Sequence, residues 1–161
     1  MAFKNEDDLR SFLMGKCRNA VMETQNNVCQ DVINRANDFY SDYPKPKQYN
    51  RTWQLNNGNP QTEKFIQISP ISSSNYECNA SVYLEANNLE YVTGQQPSGE
   101  QVMAAALQGL HGAEGDIGNG KEFYSVPGRT GVTLWDESLQ KKATDDLVRS
   151  LMVQGIPIKK T

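Results

Sequence analysis

The most suggestive chemical motif in this chain lies in a glycine-rich stretch. Gly115 to Lys121, GDIGNGK, has the glycine and lysine spacing of a phosphate-binding loop. That loop needs an apolar strand before it and a Ser or Thr after the lysine to hold magnesium. Here an amphipathic helix is predicted before it, Glu122 follows the lysine, and Asp116 adds negative charge where phosphates would lie. We therefore expect a glycine-rich loop and not a nucleotide site.

The remaining candidates for acid–base chemistry are one histidine and two carboxylate pairs. His111 is the single histidine of the chain, and a general base there would need an orienting acid that the sequence does not supply at a suitable spacing. Asp7 with Asp8 and Asp145 with Asp146 are sequence neighbours, and neighbours on a helix point in different directions. We interpret these carboxylates as solvated helix faces. The sequence predicts no catalytic residue, and we expect the protein not to be an enzyme.

Three cysteines offer little metal or redox chemistry. If Cys17 and Cys29 share one helix, they lie about 18 Å apart along its axis, which no disulfide spans. Cys78 is far away in sequence, and with only one histidine there is no His/Cys zinc constellation. We expect ordinary half-buried thiols, no metal and no cofactor.

Length and composition indicate one domain over residues 1–161. Of the residues, 37% are hydrophobic and 22% charged, with a net charge of -3 and a pI near 5.2. The acidic balance argues against a general nucleic-acid binder. No apolar run reaches the roughly 20 residues that span a bilayer, and the N-terminus, MAFKNEDDLR, is unlike a signal peptide. We therefore expect synthesis in a cytoplasm and no membrane partner.

The longest predicted element is an N-terminal helix over about 5–40, where apolar residues recur at steps of three and four. Asn5 suits its N-cap, and three acidic residues follow at the positive end of the helix dipole. Such a helix is roughly 50 Å long, whereas a domain of this size is about 35 Å across. We expect the helix either to break, around Gly15 or residues 24–27, or to project its first turns toward a partner.

The strands are predicted in the middle of the chain. Lys64 to Ile71 is expected to form a strand that Pro70 ends or places at an edge. Tyr76 to Leu84 alternates as a half-buried antiparallel strand does. Its buried face is predicted to carry Tyr76, Cys78, Ala80, Val82 and Leu84. Short further strands are expected at Leu89 to Val92 and at Ile156 to Lys159.

Two further helices complete the predicted architecture. Ser98 and Gln101 form a capping box that opens the second helix, which runs to about Leu110. The third begins at Thr133 or Asp136 and ends at Gly155. Between them lies a flexible Gly-rich loop over 109–121. We predict an α+β fold, with a small mixed, mainly antiparallel sheet flanked by the long N-terminal helix and two further helices within 63–159.

Ser41 to Leu55, SDYPKPKQYNRTWQL, concentrates aromatic and cationic residues in one non-helical segment. Pro44 and Pro46 restrict its freedom before folding, and Tyr49 and Arg51 project to the same side of an extended chain. Aromatic and arginine side chains are enriched at interface hot spots. The segment is interpreted either as a covering loop that packs on the first helix or as a protein interface, and one loop can do both. The interface candidates are Tyr43, Pro44, Tyr49, Arg51, Thr52, Trp53 and, from the glycine loop, His111.

This segment carries a resemblance to a known family. Its residues Tyr43, Pro44, Tyr49, Arg51, Thr52 and Leu55 follow the pattern Tyr-x-Pro-spacer-Tyr-x-Arg-Thr-x-x-Leu. That pattern resembles the tail-completion, or neck and minor tail, proteins of long-tailed double-stranded DNA phages. The LHG of Leu110 to Gly112 and the C-terminal helix opened by Leu134 and Trp135 and closed by QGIPIKK are similar to the same family. The chain departs from it at the polar NNGNPQTEK and at Ser72 to Asn75.

The resemblance implies a structural virion protein without catalysis. Members form a ring, often sixfold, at the head-proximal end of the tail, which completes the tail and joins it to the head. The implied partners are further copies of the chain, the tail tube protein and the head–tail connector proteins. DNA passes the lumen without specific binding, and the protein resides in the virion neck or tail after assembly in the host cytoplasm. The alternatives are another connector or stopper component, a head-completion protein of different fold, and a small nucleotide-binding enzyme.

Overall fold

The computed structural model describes residues 3–41, 54–74, 76–89, 99–108 and 133–158, apart from the side chains of Gln101 and Ala105. The elements in chain order are helix α1 (Glu6–Ser41), strands β1 (Ile66–Ile68), β2 (Ser72–Ser73), β3 (Cys78–Asn79) and β4 (Val82–Leu84), a 3-10 turn (Ala86–Asn88), and helices α2 (Gly99–Leu107) and α3 (Glu137–Val153). A long first helix, a small antiparallel β region and two further helices confirm the predicted α+β class.

Helix α1 is continuous over 36 residues. The side chain of Asn5 accepts a hydrogen bond from the backbone N–H of Asp8 at 2.8 Å, so the predicted N-cap is confirmed. The helix runs without interruption through Gly15 and through residues 24–27, where a break had been one expectation. At Thr24 the hydroxyl donates to the carbonyl of Ala20 at 2.9 Å, a local bond that leaves the helix intact.

The strands form two small two-stranded sheets, one of β1 with β4 and one of β2 with β3. In the second sheet Ser72 pairs with Asn79 and Ser73 with Cys78, antiparallel. The predicted strand at 64–71 is interrupted because Pro70 has no N–H to give to a ladder. The alternation predicted for 76–84 is confirmed from residue 78 onward, since even-numbered side chains are half-buried and odd-numbered ones exposed. Tyr76 was placed wrongly, being 78% exposed.

The predicted bounds of α2 and α3 agree with the structure within a few residues. Ser98, half of the capping box, lies outside the described residues, as do residues 109 and 110. Helix α3 ends at Val153, close to the predicted Gly155. Gly155 has a φ of 81°, its N–H donates to the carbonyl of Met152, and that of Ile156 donates to the carbonyl of Leu151. These two bonds are a Schellman motif, in which glycine adopts the left-handed conformation at low cost. Leu89 and residues 156–158 are not in strands, so the two extra strands were predicted wrongly there.

The described chain divides into two compact units. Unit 1 takes its described residues from Met1–Gln30, Ile68–Tyr83 and Glu137–Thr161, and unit 2 from Asp31–Gln67 and Leu84–Asp136. The predicted single domain over 1–161 stays a prediction. Buried hydrophobic residues in unit 1 are Ala20, Val28 and Leu139; those in unit 2 are Val32, Ala36, Phe39, Leu55, Phe65, Ile66, Ala86, Leu89, Ala106 and Leu134.

Unit 1 is connected internally by buried polar groups of α1. The amide nitrogen of Gln25 donates to the carbonyls of Ser69, at 2.8 Å, and Ser81, at 2.9 Å. These two residues are themselves bonded, since Ser69 donates its N–H to Ser81 at 2.9 Å. The hydroxyl of Ser150 on α3 donates to the carboxylate of Glu23 on α1. Gln25 and Ser150 are both buried, so these bonds replace the water that either group would otherwise hold.

Asp146 corrects a sequence prediction. It was interpreted as part of a solvated face, yet it is 6% exposed. Its carboxylate accepts from Lys142 at 3.2 Å and from Arg149 at 3.3 Å. These partners lie one turn away on either side along α3, where i+3 and i+4 side chains meet. Burial of a charge needs such pairing, so the cations of the same helix allow Asp146 to be buried, whereas Asp145 is exposed as predicted.

Candidate protein interface

The predicted interface residues lie outside the part of the chain that the structure describes. This holds for Tyr43, Pro44, Tyr49, Arg51, Thr52 and Trp53, and also for His111, for the glycine-rich loop at 109–121 and for the GDIGNGK stretch. Their predicted roles stay predictions. What the structure does describe is how residues 55–57 and residues 133–136 are held within unit 2.

The proline-rich segment is held at the end of α1. The N–H of Leu55 donates to the hydroxyl of Tyr40 at 3.2 Å, and the amide of Asn56 donates to the side-chain oxygen of Asn37 at 2.6 Å. Leu55, the last residue of the Tyr-x-Pro pattern, is buried. Leu55 and Asn56 are therefore held against the last turns of α1.

A single asparagine fixes the chain just after this return. Asn57 has a φ of 58°, in the left-handed region that asparagine tolerates better than most residues. Its side-chain amide donates to the carbonyl of Ile66 at 2.8 Å and accepts from the N–H of Ile66 at 2.9 Å. The amide thus makes the paired bonds that a neighbouring strand would make. The Asn56-Asn57-Gly58 run is typical of a turn, but nothing in it identifies Ile66 as the partner.

Residues 133–136, which precede α3, are held on the same part of α1. The guanidinium of Arg35 contacts the carboxylate of Asp136 at 2.9 Å and donates to the carbonyl of Thr133 at 3.2 Å. The hydroxyl of Thr133 donates to Asp136 at 3.2 Å, and Leu134 between them is fully buried. The guanidinium therefore fixes the chain immediately before α3, as its planar set of donors allows.

Arg35, Asn37 and Tyr40 together define an anchor, the last two turns of α1, that binds residues 55 and 56 after the proline-rich segment and residues 133 and 136 before α3. Sequence reasoning missed this anchor. Arg35 and Thr133 are 98 positions apart, and the long helix was interpreted through its apolar residues alone. Chemically, the anchor can hold one end of a loop still, which reduces the entropy lost when that loop binds a partner.

Thiol chemistry in unit 1 is limited. The thiol of Cys78 donates to the carbonyl of Met14 at 4.0 Å. Burial raises the pKa of Cys78, the nearby Cys17 raises it further, and Arg18 acts in the opposite direction. All three cysteines are half-buried, as predicted. Because the thiolate is the reactive form, a raised pKa makes Cys78 less reactive near neutral pH.

The described residues hold neither a cluster of metal-ligating side chains nor a helix suited to span a membrane. Among residues 3–41, 54–74, 76–89, 99–108 and 133–158, no group of three or more His, Cys, Asp or Glu side chains is placed to hold a metal ion. Within the same ranges no helix combines the length and apolar character needed to cross a membrane. Comparison with known proteins found no matching family model, no matching curated protein and no matching solved structure.

Proposed function

We propose that this chain is a structural protein of the virion neck or tail of a long-tailed double-stranded DNA phage. It forms a homo-oligomeric ring at the head-proximal end of the tail, completes the tail and joins it to the head. The ring binds the tail tube protein on one face and connector proteins on the other, and DNA passes its lumen without specific binding.

The observation that carries the proposal is the attachment of the Tyr-x-Pro segment to α1. Leu55, which ends the pattern, is buried and bonded to Tyr40 near the end of α1. A heterologous ring requires a patch on each subunit that fits a different patch on its neighbour. A short, proline-restricted loop rich in Tyr and Arg and held at its last residue supports such a role. The α+β fold agrees with the small sheet and flanking helices that the resemblance implies.

The mass of the purified protein in solution tests the proposal. We expect the full chain, alone or after mixing with tail tube protein, to give a discrete ring-sized species in sedimentation velocity and a ring in negative-stain electron micrographs. The proposal would be contradicted if the protein formed no oligomer even when tail tube and connector proteins were present. Binding of ATP and magnesium that Lys121→Ala abolishes would instead favour the nucleotide-binding alternative.

A further inference from the structure

The first turns of α1 in unit 1 expose an apolar surface. Leu9, Phe12 and Leu13 are 39%, 41% and 41% exposed, and their spacing puts them on one face of the helix. The ring of Phe3 lies 5.3 Å from that of Phe12, and the Lys16 ammonium lies over Phe12 at 5.6 Å. Phe12 is thus the centre of an exposed apolar face, which we call the Phe12 face.

Along the helix axis, a negative charge lies before Phe12 and a positive charge lies after it. Four residues before Phe12 is Asp8, in the acidic first turn of the helix. Four residues after Phe12 is Lys16. Asp8 and Lys16 lie about 12 Å apart along the helix axis, at a rise of 1.5 Å per residue, so they are too distant to pair with each other. The carboxylates of Glu6 and Asp7, by contrast, are bonded to Arg10.

From this arrangement we infer that the Phe12 face binds the same face of a second copy, with the two helices antiparallel about a two-fold axis at Phe12. The axis brings Phe12 against its own copy and sets Asp8 of each chain level with Lys16 of the other, on both sides. A parallel pair would instead bring the two acidic first turns together, which like-charge repulsion disfavours. Isologous contacts of this kind are the commonest in soluble oligomers. This dimer concerns unit 1 and does not rest on the proposed ring.

Sedimentation equilibrium of the full-length protein tests the inference, with a matched pair of variants. In an Arg51→Ala background, where the proposed ring should not form, we expect reversible monomer–dimer association that Phe12→Asp abolishes, because a charge would be buried at the axis. Met22→Asp is the control, since Met22 is on the same helix and 48% exposed but lies off the Phe12 face; it should leave the dissociation constant unchanged. Because the dimer does not depend on the proline-rich segment, it should also survive Arg51→Ala, which the proposed ring should not.

Exchanging the charges at positions 8 and 16 distinguishes the antiparallel register from non-specific hydrophobic association. Asp8→Lys or Lys16→Asp alone should weaken the dimer about tenfold, as the loss of two symmetric exposed pairs implies. The double variant Asp8→Lys/Lys16→Asp should restore wild-type affinity. The inference would be overturned if the protein were monomeric at every concentration at which it is soluble. It would also be overturned if Met22→Asp reduced association as much as Phe12→Asp, or if the double variant bound no more tightly than the single ones.

Discussion

Gln25 is a buried polar residue whose loss should destabilise unit 1. It is buried, and its one NH2 group serves the carbonyls of Ser69 and Ser81. In Gln25→Ala the half-buried Ser69 and the exposed Ser81 each lose this donor to their carbonyls, and two hydrogen bonds of this kind contribute about 1–2 kcal/mol. Urea unfolding should show that loss, while Asn26→Ala, an exposed amide at the next position, should change stability by less than about 0.5 kcal/mol. Equal effects of the two variants would show that the bonds of Gln25 contribute nothing.

Cys78 gives a pH-dependent prediction. Burial is the main cause that raises its pKa, so the thiolate that alkylating reagents attack forms at a higher pH in the folded protein than in the unfolded chain. In a Cys17→Ser/Cys29→Ser variant, where Cys78 is the single thiol, the alkylation rate should rise along a pH curve displaced upward from that of the urea-denatured protein. The displacement should survive the loss of Cys17, since that thiol is the smaller cause. Superimposed curves would contradict the prediction.

Single residues also show where sequence reasoning stops. The alternation of residues 78–84 was predictable because a strand has a period of two. Tyr76 does not follow this period. It is exposed, and its ring lies 5.3 Å from the Arg10 guanidinium, a contact between residues far apart in sequence that the period does not specify. Burial of Asp146 likewise depends on how α3 packs within unit 1, which a helical pattern does not specify.

At the scale of elements, two helix glycines should respond oppositely to alanine. A Cβ on Gly15 would meet nothing within 4 Å, whereas on Gly99 it would lie 2.1 Å from the carbonyl oxygen of Ala86. Gly15→Ala should therefore stabilise the protein by about 0.5–1 kcal/mol through lower unfolded-state entropy. Gly99→Ala should destabilise it by about 1–3 kcal/mol, because α2 must move off the Ala86–Asn88 turn. Unfolding of both variants in dilute solution, beside wild type, measures the difference in sign.

A stabilised Gly99→Ala would mean that α2 does not approach the turn so closely, and a destabilised Gly15→Ala would mean that position 15 is in contact. Helices were otherwise the best-predicted elements here. Their ends are set by local chemistry, such as the Asn5 cap and the left-handed Gly155, whereas the strands are short and set by partners that the sequence does not name.

At the scale of the whole molecule, the feature least predictable from sequence is the anchor of Arg35, Asn37 and Tyr40. Its bonds join α1 to residues 15 to 98 positions away, and each depends on a fold already formed. The pattern Tyr43 to Leu55 was visible in the sequence, but the attachment of its last residue to α1 was not. The anchor supplies this attachment, because Tyr40 and Asn37 bind Leu55 and Asn56.

Arg51 is the residue on which the proposed ring most directly depends. Its guanidinium is expected to pair with a carboxylate of a neighbouring subunit, as arginine does with its planar set of donors. Arg51→Ala should then lower the free energy of unfolding of the monomer by at most about 1 kcal/mol, while the yield of rings or of tailed particles falls sharply. Lys47→Ala removes a cation from the same segment and serves as the matched control, with assembly near wild type.

Arg51→Lys separates charge from geometry in the same assay. It keeps the positive charge but loses the two parallel bonds of an arginine–carboxylate pair, so assembly should recover only in part. The covering-loop interpretation predicts the reverse pattern: a large loss of stability in Arg51→Ala, measured by thermal unfolding, with assembly reduced only as far as the folded fraction is reduced. Melting and particle yield, measured on the same four proteins, therefore decide whether the aromatic and cationic residues between Ser41 and Leu55 serve a neighbouring subunit or the chain that carries them.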